Sequence, residues 1–387
     1  MNFLEYLTHC FTFAVRATGF MLKKNVLFLS FIAITFFSHA GEVDTNYVQR
    51  FKNIVAVKTF LVNNGFIYNL TPRNNNLFTE QQLNDAKLYY SPHIPTTAGV
   101  SLNIKGIGFT YIFKFTNDYL DTTGRVKSGH KQFQMNIYGT RFGFEGYYMD
   151  YQRFYFHYKG DEILNKNYNN DIRSYKVGAN AIFIFNGKKF SYNAAFNQTQ
   201  LQKKSAGSGI MVLSLRFDEL KSGDLIPDSV KAFYGNISNL QRNRNIAFFL
   251  QGGYAFNLTK NNFYFSNAYI VGAGIQSQIY KYPIGNHYRI ALPLIGRAKA
   301  SMGYNGKVFF GGIFANADVT QSQIKTLRTQ QFQYSYGVFI GLRAIEFTKN
   351  KSQLRKEAKE KKMAEDAAKK KLKEEQKKAA REKKKKK

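Results

Sequence analysis

Between about Ile54 and Phe347 the chain is a long series of short segments in which apolar and polar side chains alternate. In Gly106–Phe115, the side chains of Ile107, Phe109, Tyr111, Phe113 and Phe115 fall on one side, and Gly108, Thr110, Ile112 and Lys114 on the other. Strand side chains repeat every two residues, so one face is greasy and aromatic and the other small or charged. One such strand fits any sandwich. Roughly a dozen in series behind a secretory signal predict an all-β fold: a transmembrane antiparallel β-barrel with an apolar band toward lipid, a polar lumen and no open edge. The competing expectation is an aromatic-rich exported soluble sandwich.

Composition narrows the classes. The 387 residues include 37 Phe and 26 Tyr but no Trp, and aromatic girdles at two membrane interfaces would use such residues. No run of about 18 apolar residues occurs, which excludes a helical span. Residues 1–40 read as an N-terminal extension and signal peptide. Lys23 and Lys24 form a basic n-region, Val26–Phe37 an apolar core, and Ser38-His39-Ala40 a small-residue cleavage site. The reading puts the true start at Met21, cleavage after Ala40 and the mature chain in the bacterial outer membrane. The single cysteine, Cys10, precedes the cut, so the mature chain is expected to hold no disulfide, thiolate nucleophile or cysteine-based metal site.

Candidate strands cover 54–68, 96–104, 106–116, 130–140, 142–157, 172–185, 189–201, 209–217, 245–256, 263–279, 287–302, 306–317 and 332–347. Tight turns are expected at Lys105-Gly106, near Gly139-Thr140, at Asn186-Gly187 and at Asn305-Gly306; Asn-Gly is the strongest short hairpin signal. Longer connections fall at 69–95, 117–129, 158–171, 218–244 and 318–331. Short and long connections alternate, as in barrels, except at 218–244. An extra crossing near Val230–Ile237 gives 14 strands; one spurious candidate gives 12, and Asp218–Asn245, polar and carrying Pro227, can instead be a plug or a periplasmic segment. The lipid face is expected to carry Phe133, Met135 and Ile137; Tyr175, Val177, Ala179, Ala181, Phe183 and Phe185; Phe190, Tyr192, Ala194 and Phe196; and Ile246, Phe248, Leu250 and Tyr254. Pro293, inside one candidate strand, cannot donate to a ladder and marks a bulge or an edge.

The barrel domain is thus expected over 41–347. Residues 348–387 form a basic tail, with 19 Lys/Arg against 7 Asp/Glu and no aromatic side chain. Lys, Glu and Ala give it helix propensity, yet it has no apolar stripe to bury, so it reads as partly helical or disordered. It is either a solvated extension or a grip on an anionic periplasmic partner such as a phospholipid surface, a cell-wall polymer or an acidic protein. Nucleic acid is not expected, because the chain is exported and the tail has nothing to stack on bases.

Signals for chemistry are thin. His93, His130, His157 and His287 are scattered without metal-ligand spacing, and no cofactor is expected. Lys203, Lys204 and Ser205 form a compact basic loop motif. A serine beside lysine can act as a nucleophile, but such loops are more commonly turns. The candidate site is a lumen-facing polar cluster of Lys114, Arg141, Glu145 and Lys176, either a salt-bridge network filling a narrow lumen or a basic lumen selecting anions.

These segments also carry a resemblance. Lys105-Gly106-Ile107-Gly108-Phe109, Asn136-Ile137-Tyr138-Gly139, Arg141-Phe142-Gly143-Phe144, Asp171-Ile172-Arg173-Ser174-Tyr175, and the stretch from Asn186 to Ser208 are similar to a domain-of-unknown-function family of exported, barrel-like proteins of diderm bacteria. The resemblance runs from Phe51 to Phe347 and is most specific over 171–208. It implies an outer-membrane barrel surrounded by outer-membrane lipids and inserted by the barrel-assembly machinery. It brings no activity and no catalytic residues. Tyr336–Phe347 is similar to an aromatic insertion signal, although Arg343 shares the face of Phe347. The expected function is a structural barrel or passive pore with a basic lumen, and not an enzyme. The alternatives are an anchor presenting the tail to its anionic partner, and a barrel enzyme acting on lipid or peptide.

Overall fold

The computed structural model describes residues 41–51, 55–73, 77–104, 106–114, 126–158, 167–283, 285–344 and Met363. The expected signal segment 1–40 lies outside the described residues, as does the tail except for Met363. In chain order the strands are β1 (Val48–Arg50), β2 (Val55–Pro72), β3 (Leu88–Ser91), β4 (Thr97–Ile104), β5 (Ile107–Lys114), β6 (Gly129–Tyr138), β7 (Phe142–Tyr158) and β8 (Asn167–Ile184). They continue with β9 (Gln200–Gln202), β10 (Ala206–Lys221), β11 (Arg242–Lys260), β12 (Phe263–Tyr282), β13 (Gly285–Ala291), β14 (Leu294–Asn305), β15 (Phe309–Gln323) and β16 (Leu327–Ala344).

Backbone pairing closes on itself. The ring runs β2-β4-β5-β6-β7-β8-β10-β11-β12-β14-β15-β16 and back to β2, all antiparallel. That is twelve crossings, the smaller of the two expected counts. The last strand seals the first over a long register, from Leu327 opposite Pro72 to Ala344 opposite Val55. Closure leaves no row of unpaired amides facing lipid, the condition a membrane imposes on any sheet.

Alternation sets the faces. On β16, Phe332, Tyr336, Val338, Ile340 and Leu342 point outward and are exposed, while Gln331, Phe339 and Arg343 are buried inside. Ten residues at ~3.3 Å each, tilted by about 40°, span about 25 Å, the height of an outer-membrane apolar band. Ile246, Phe248, Leu250 and Tyr254 of β11 likewise face out, opposite buried Ala247, Phe249 and Gln251.

The two ends of the barrel differ. At the proximal end, where β2 begins and β16 stops, connections are tight except the one from β8 to β10. Gly106 has φ 91°, and Asn261 and Asn262 both have positive φ (50° and 68°). The Asn261-Asn262 turn between β11 and β12 therefore has the mirror-image hairpin geometry expected at Asn-Gly pairs. Most distal connections are longer, and β3 is stitched between β2 and β7 beyond the reach of β4–β6.

Four sequence expectations are corrected. Residues 189–201 are not a barrel strand: Phe190, Tyr192 and Ala194 are buried rather than lipid-facing, and Phe196 is turned inward too. Removing this candidate restores the alternation and places 218–244 at the distal end. No crossing forms at Val230–Ile237, which folds as short helical turns. The long connection expected at 318–331 is only a short turn, with β15 and β16 running almost into each other. Candidate strand 287–302 is broken at Leu292-Pro293 into β13, which pairs only with the distal part of β12, and β14, which completes the ring.

The closed ring is expected to give a compact SDS-resistant species that shifts on boiling. Leu250→Arg, at mid-height on the lipid face, should cost about 2–4 kcal/mol of folding free energy, read from denaturant titration in lipid vesicles.

Candidate functional site

Two inserts close the lumen, and a polar chamber lies between them. The proximal insert is the connection from β8 to β10. After Ile184 the chain turns under the barrel wall, so tightly that a Cβ on Gly187 would lie 1.8 Å from the carbonyl oxygen of Thr140. It then enters the lumen as a π-helical turn, Asn193–Asn197, and returns through Gln198 (φ 55°) to β9. Phe190, Tyr192 and Ala195 pack against Ile182, Ile184, Ile210, Val212 and Ile270 of the wall. Asn193 Nδ2 donates to the Tyr138 carbonyl (2.9 Å) and Asn197 Nδ2 to Asn136 Oδ1 (2.9 Å).

Arg343 latches this insert. It lies on the inward face of the last strand, and its guanidinium donates to the carbonyls of Gln198 and Gly306 and to Asn305 Oδ1. The rings of Phe51 and Phe310 flank it, with centroids 4.9 and 4.6 Å away. No carboxylate among the described residues pairs with it. The inward face explains why arginine stands within an otherwise aromatic terminal strand.

The distal insert is 222–241. Leu225, Ile226, Val230, Tyr234, Ile237 and Leu240 pack onto Phe66, Tyr68, Leu70, Tyr90, Tyr151 and Phe154. The Tyr234 hydroxyl bonds the Leu70 carbonyl (2.9 Å), and burial together with nearby Tyr90 holds this phenol well above its ordinary range, a neutral donor. Asp171 accepts from the Gly223 amide and Ser222 Oγ, fixing the start of the insert.

The chamber between the inserts has a volume of about 270 Å³. Its charged lining is Lys58, Lys176, Arg216, Arg297 and Lys299 against Glu145 and Asp318. Two ion pairs cross the lumen. Lys299 of β14 reaches Glu145 of β7 (2.7 Å), and Arg216 of β10 reaches Asp318 of β15 (3.1 Å), which also holds Arg297 (2.8 Å). Asn180 joins them, donating to Glu145 (3.0 Å) and accepting from Arg297 (3.2 Å) and Ser214 (2.7 Å). Lys58 and Lys176 form no ion pair among the described residues. Each ammonium instead lies over an aromatic ring, Phe339 at 5.3 Å and Phe66 at 4.5 Å. Asp218 sits at Lys176's register position on the neighbouring strand.

Of the expected cluster, Glu145 and Lys176 line this chamber. Arg141 does not: it is exposed in the turn before β7, because the strand begins one residue later and the parity that would aim it inward does not extend into the turn. Lys114 ends β5, and its side chain lies outside the described residues. Sequence reading missed Lys58, Arg216, Arg297, Lys299 and Asp318. Arg216 was findable by parity, since Ile210, Val212 and Ser214 share its buried face. The basic loop is a proximal fastening. Lys203 Nζ donates to the Thr45 carbonyl (2.9 Å), Lys204 lies over the Tyr47 ring (5.6 Å), and Ser205 Oγ accepts from the Thr259 amide (3.0 Å).

A closed antiparallel ring with an apolar outer band and a charged, doubly capped interior defines the class: a plugged transmembrane-type β-barrel. The chain belongs to the family described as Domain of unknown function (DUF4421), which it matches over residues 42–343. Among curated proteins no sequence matches. Among solved structures, the chain is similar to the outer membrane protease OmpT of Escherichia coli, with 6% identity and a TM-score of 0.34, covering 76% of this chain and 97% of that one. Ail, the attachment invasion locus protein of Yersinia pestis, gives 9% identity and a TM-score of 0.20 over 74% and 98% of the two chains. The TodX monoaromatic hydrocarbon channel gives 8% and 0.25 over 75% and 90%.

Asp318→Asn should strand Arg216 and Arg297 in the lumen and cost about 3 kcal/mol, measured as a shift in denaturant midpoint. The double variant Asp318→Asn/Arg297→Met should lose less than the sum of the two single changes.

Proposed function

We propose that this protein is a bacterial outer-membrane barrel that acts as a passive conduit for small anionic solutes, held shut by its two inserts. The proximal end, from which both chain termini leave, then faces the periplasm, and the basic tail lies there. The observation that carries the reading is the chamber's cationic excess. Five basic side chains line the chamber with Glu145 and Asp318, Asp218 beside Lys176 adds a third carboxylate, and neither Lys58 nor Lys176 forms an ion pair among the described residues. Cations still outnumber carboxylates there, and holding the Lys58 ammonium in the lumen without a counter-charge is costly, so the chamber favours an entering anion. A ring of Lys and Arg selects anions by the same electrostatics in an open pore. The proposal assigns the protein no catalytic step. Its surroundings are outer-membrane lipids, and its insertion depends on the barrel-assembly machinery.

The polar network supports a second reading: a purely structural barrel whose lumen is filled by ion pairs, anchoring the tail to an anionic periplasmic partner. Conductance separates the two. In planar bilayers the full chain should be nearly silent. Arg343→Ala, which releases Gln198 from the last strand, should open in steps and pass chloride in preference to potassium, read from the reversal potential. Adding Lys58→Gln and Lys176→Gln should reduce that preference. An Arg343→Ala protein that keeps its heat shift but never conducts would exclude the conduit and leave the anchor.

A further inference from the structure

The two rims of the barrel carry their charges differently. At the distal rim acidic and basic groups are mixed: several pair, although Lys281, Arg289 and Lys325 stand exposed without an ion pair among the described residues. Arg173 pairs with Asp150 (2.7 Å), Arg244 with Glu219 (2.8 Å), and Lys231 with Asp224 and Asp228 (2.6 Å each). At the proximal rim the five connecting turns contain no Asp or Glu at all; four contain Lys or Arg, and the fifth, Asn261-Asn262, follows directly on Lys260 at the end of β11. Arg141, Lys188, Lys189, Lys203, Lys204, Lys260 and Lys307 are exposed there. None of them forms an ion pair among the described residues. The acidic side chains of the adjoining N-terminal segment, Glu42 and Asp44, are too few to balance them.

Position adds chemistry to sign. Immediately inside the basic turns stand outward aromatics: Phe142 beside Arg141, Phe185 before Lys188, Phe263 after Lys260, and Phe309 after Lys307, each 44–63% exposed. Exposed aromatics of this kind mark the edge of the apolar band. Cations placed one to three residues beyond that edge stand at the depth of lipid headgroups, where each adds attraction to an anionic surface. A cell-wall polymer could meet charges on the underside of the barrel, but it has no use for a collar at the hydrocarbon boundary.

We propose that the proximal rim is a docking surface for anionic phospholipid headgroups of the periplasmic leaflet, bound through their phosphates by the turn lysines and Arg141. The inference rests on the barrel spanning a bilayer and is independent of whether the lumen conducts.

The test reconstitutes the full chain, tail included, into nanodiscs of equal phosphatidylglycerol and phosphatidylcholine and counts co-retained lipids by native mass spectrometry after partial delipidation. Wild type should retain phosphatidylglycerol over phosphatidylcholine by about fivefold or more, falling with salt. The variant Arg141→Gln/Lys188→Gln/Lys260→Gln/Lys307→Gln should lose most of that preference while keeping its heat shift. Arg244→Gln at the distal rim should leave the preference unchanged. Equal retention of the two lipids by wild type overturns the proposal. So does an undiminished preference in the quadruple variant, which would assign the lipid contact to the tail. Loss in the variant of sedimentation with purified cell-wall sacculi, without any lipid preference in wild type, would also overturn it in favour of the polymer. A wild-type protein without a heat shift would remove the barrel-in-bilayer premise itself.

Discussion

A strand in a bilayer has no water to satisfy its amides, and the rest of this structure follows from that constraint. Twelve strands close because an open edge would leave a row of donors and acceptors in hydrocarbon. Closure fixes parity: once the outward set on β16 is Phe332, Tyr336, Val338, Ile340 and Leu342, the inward set must be Gln331, Phe339 and Arg343. The lumen is therefore made of whatever the alternate positions supply. Here they supply more cations than anions, and the pairs that form across the lumen join strands four and five places apart in the ring.

The same constraint sends the hydrophobic packing to unusual places. A barrel wall with one face in lipid and one lined by charge has little core of its own. The two larger buried apolar clusters lie at the two ends, where the β8–β10 connection and residues 222–241 fold into the mouths, and smaller ones, such as Phe60 with Phe310 and Phe339, line the inner wall. The inserts are thus both the closures of the chamber and the centres of the larger packed apolar regions. Loosening one should change permeability and local stability together, while the ladder of backbone hydrogen bonds persists.

Much of this was legible from sequence, and the failures have physical causes. The run Tyr175–Phe185 alternates cleanly and gives the observed faces, because a wall strand sees lipid on one side and polar lumen on the other. Residues 190–196 alternate equally well, with Phe190, Tyr192, Ala194 and Phe196, yet they form an insert. Burial in the lumen rewards the same side chains as exposure to lipid, so period alone does not separate them. Ala195, apolar and out of phase, and Asn193, buried with its amide bonded to the Tyr138 carbonyl, are the residues that break the strand reading. The chamber was half legible. Parity identifies Glu145 and Lys176 as inward, but it says nothing about which residue faces them across the ring. Arg297 and Lys299 follow the break at Pro293, where the phase of the strand is hard to carry through.

Arg343 has a consequence for the order in which the barrel is made. It belongs to the final strand, whereas the segment it grips, around Gln198, belongs to a connection completed far earlier in the chain. The N-terminal strand β1 adds a second fastening, pairing with β9 of the same insert. The insert therefore cannot be locked until both ends of the barrel-forming chain have come together beneath it. Locking of the insert makes the seam between β2 and β16 self-reporting: the lumen becomes sealed only in a molecule whose ring is complete, so an unfinished barrel and a shut one are never the same species.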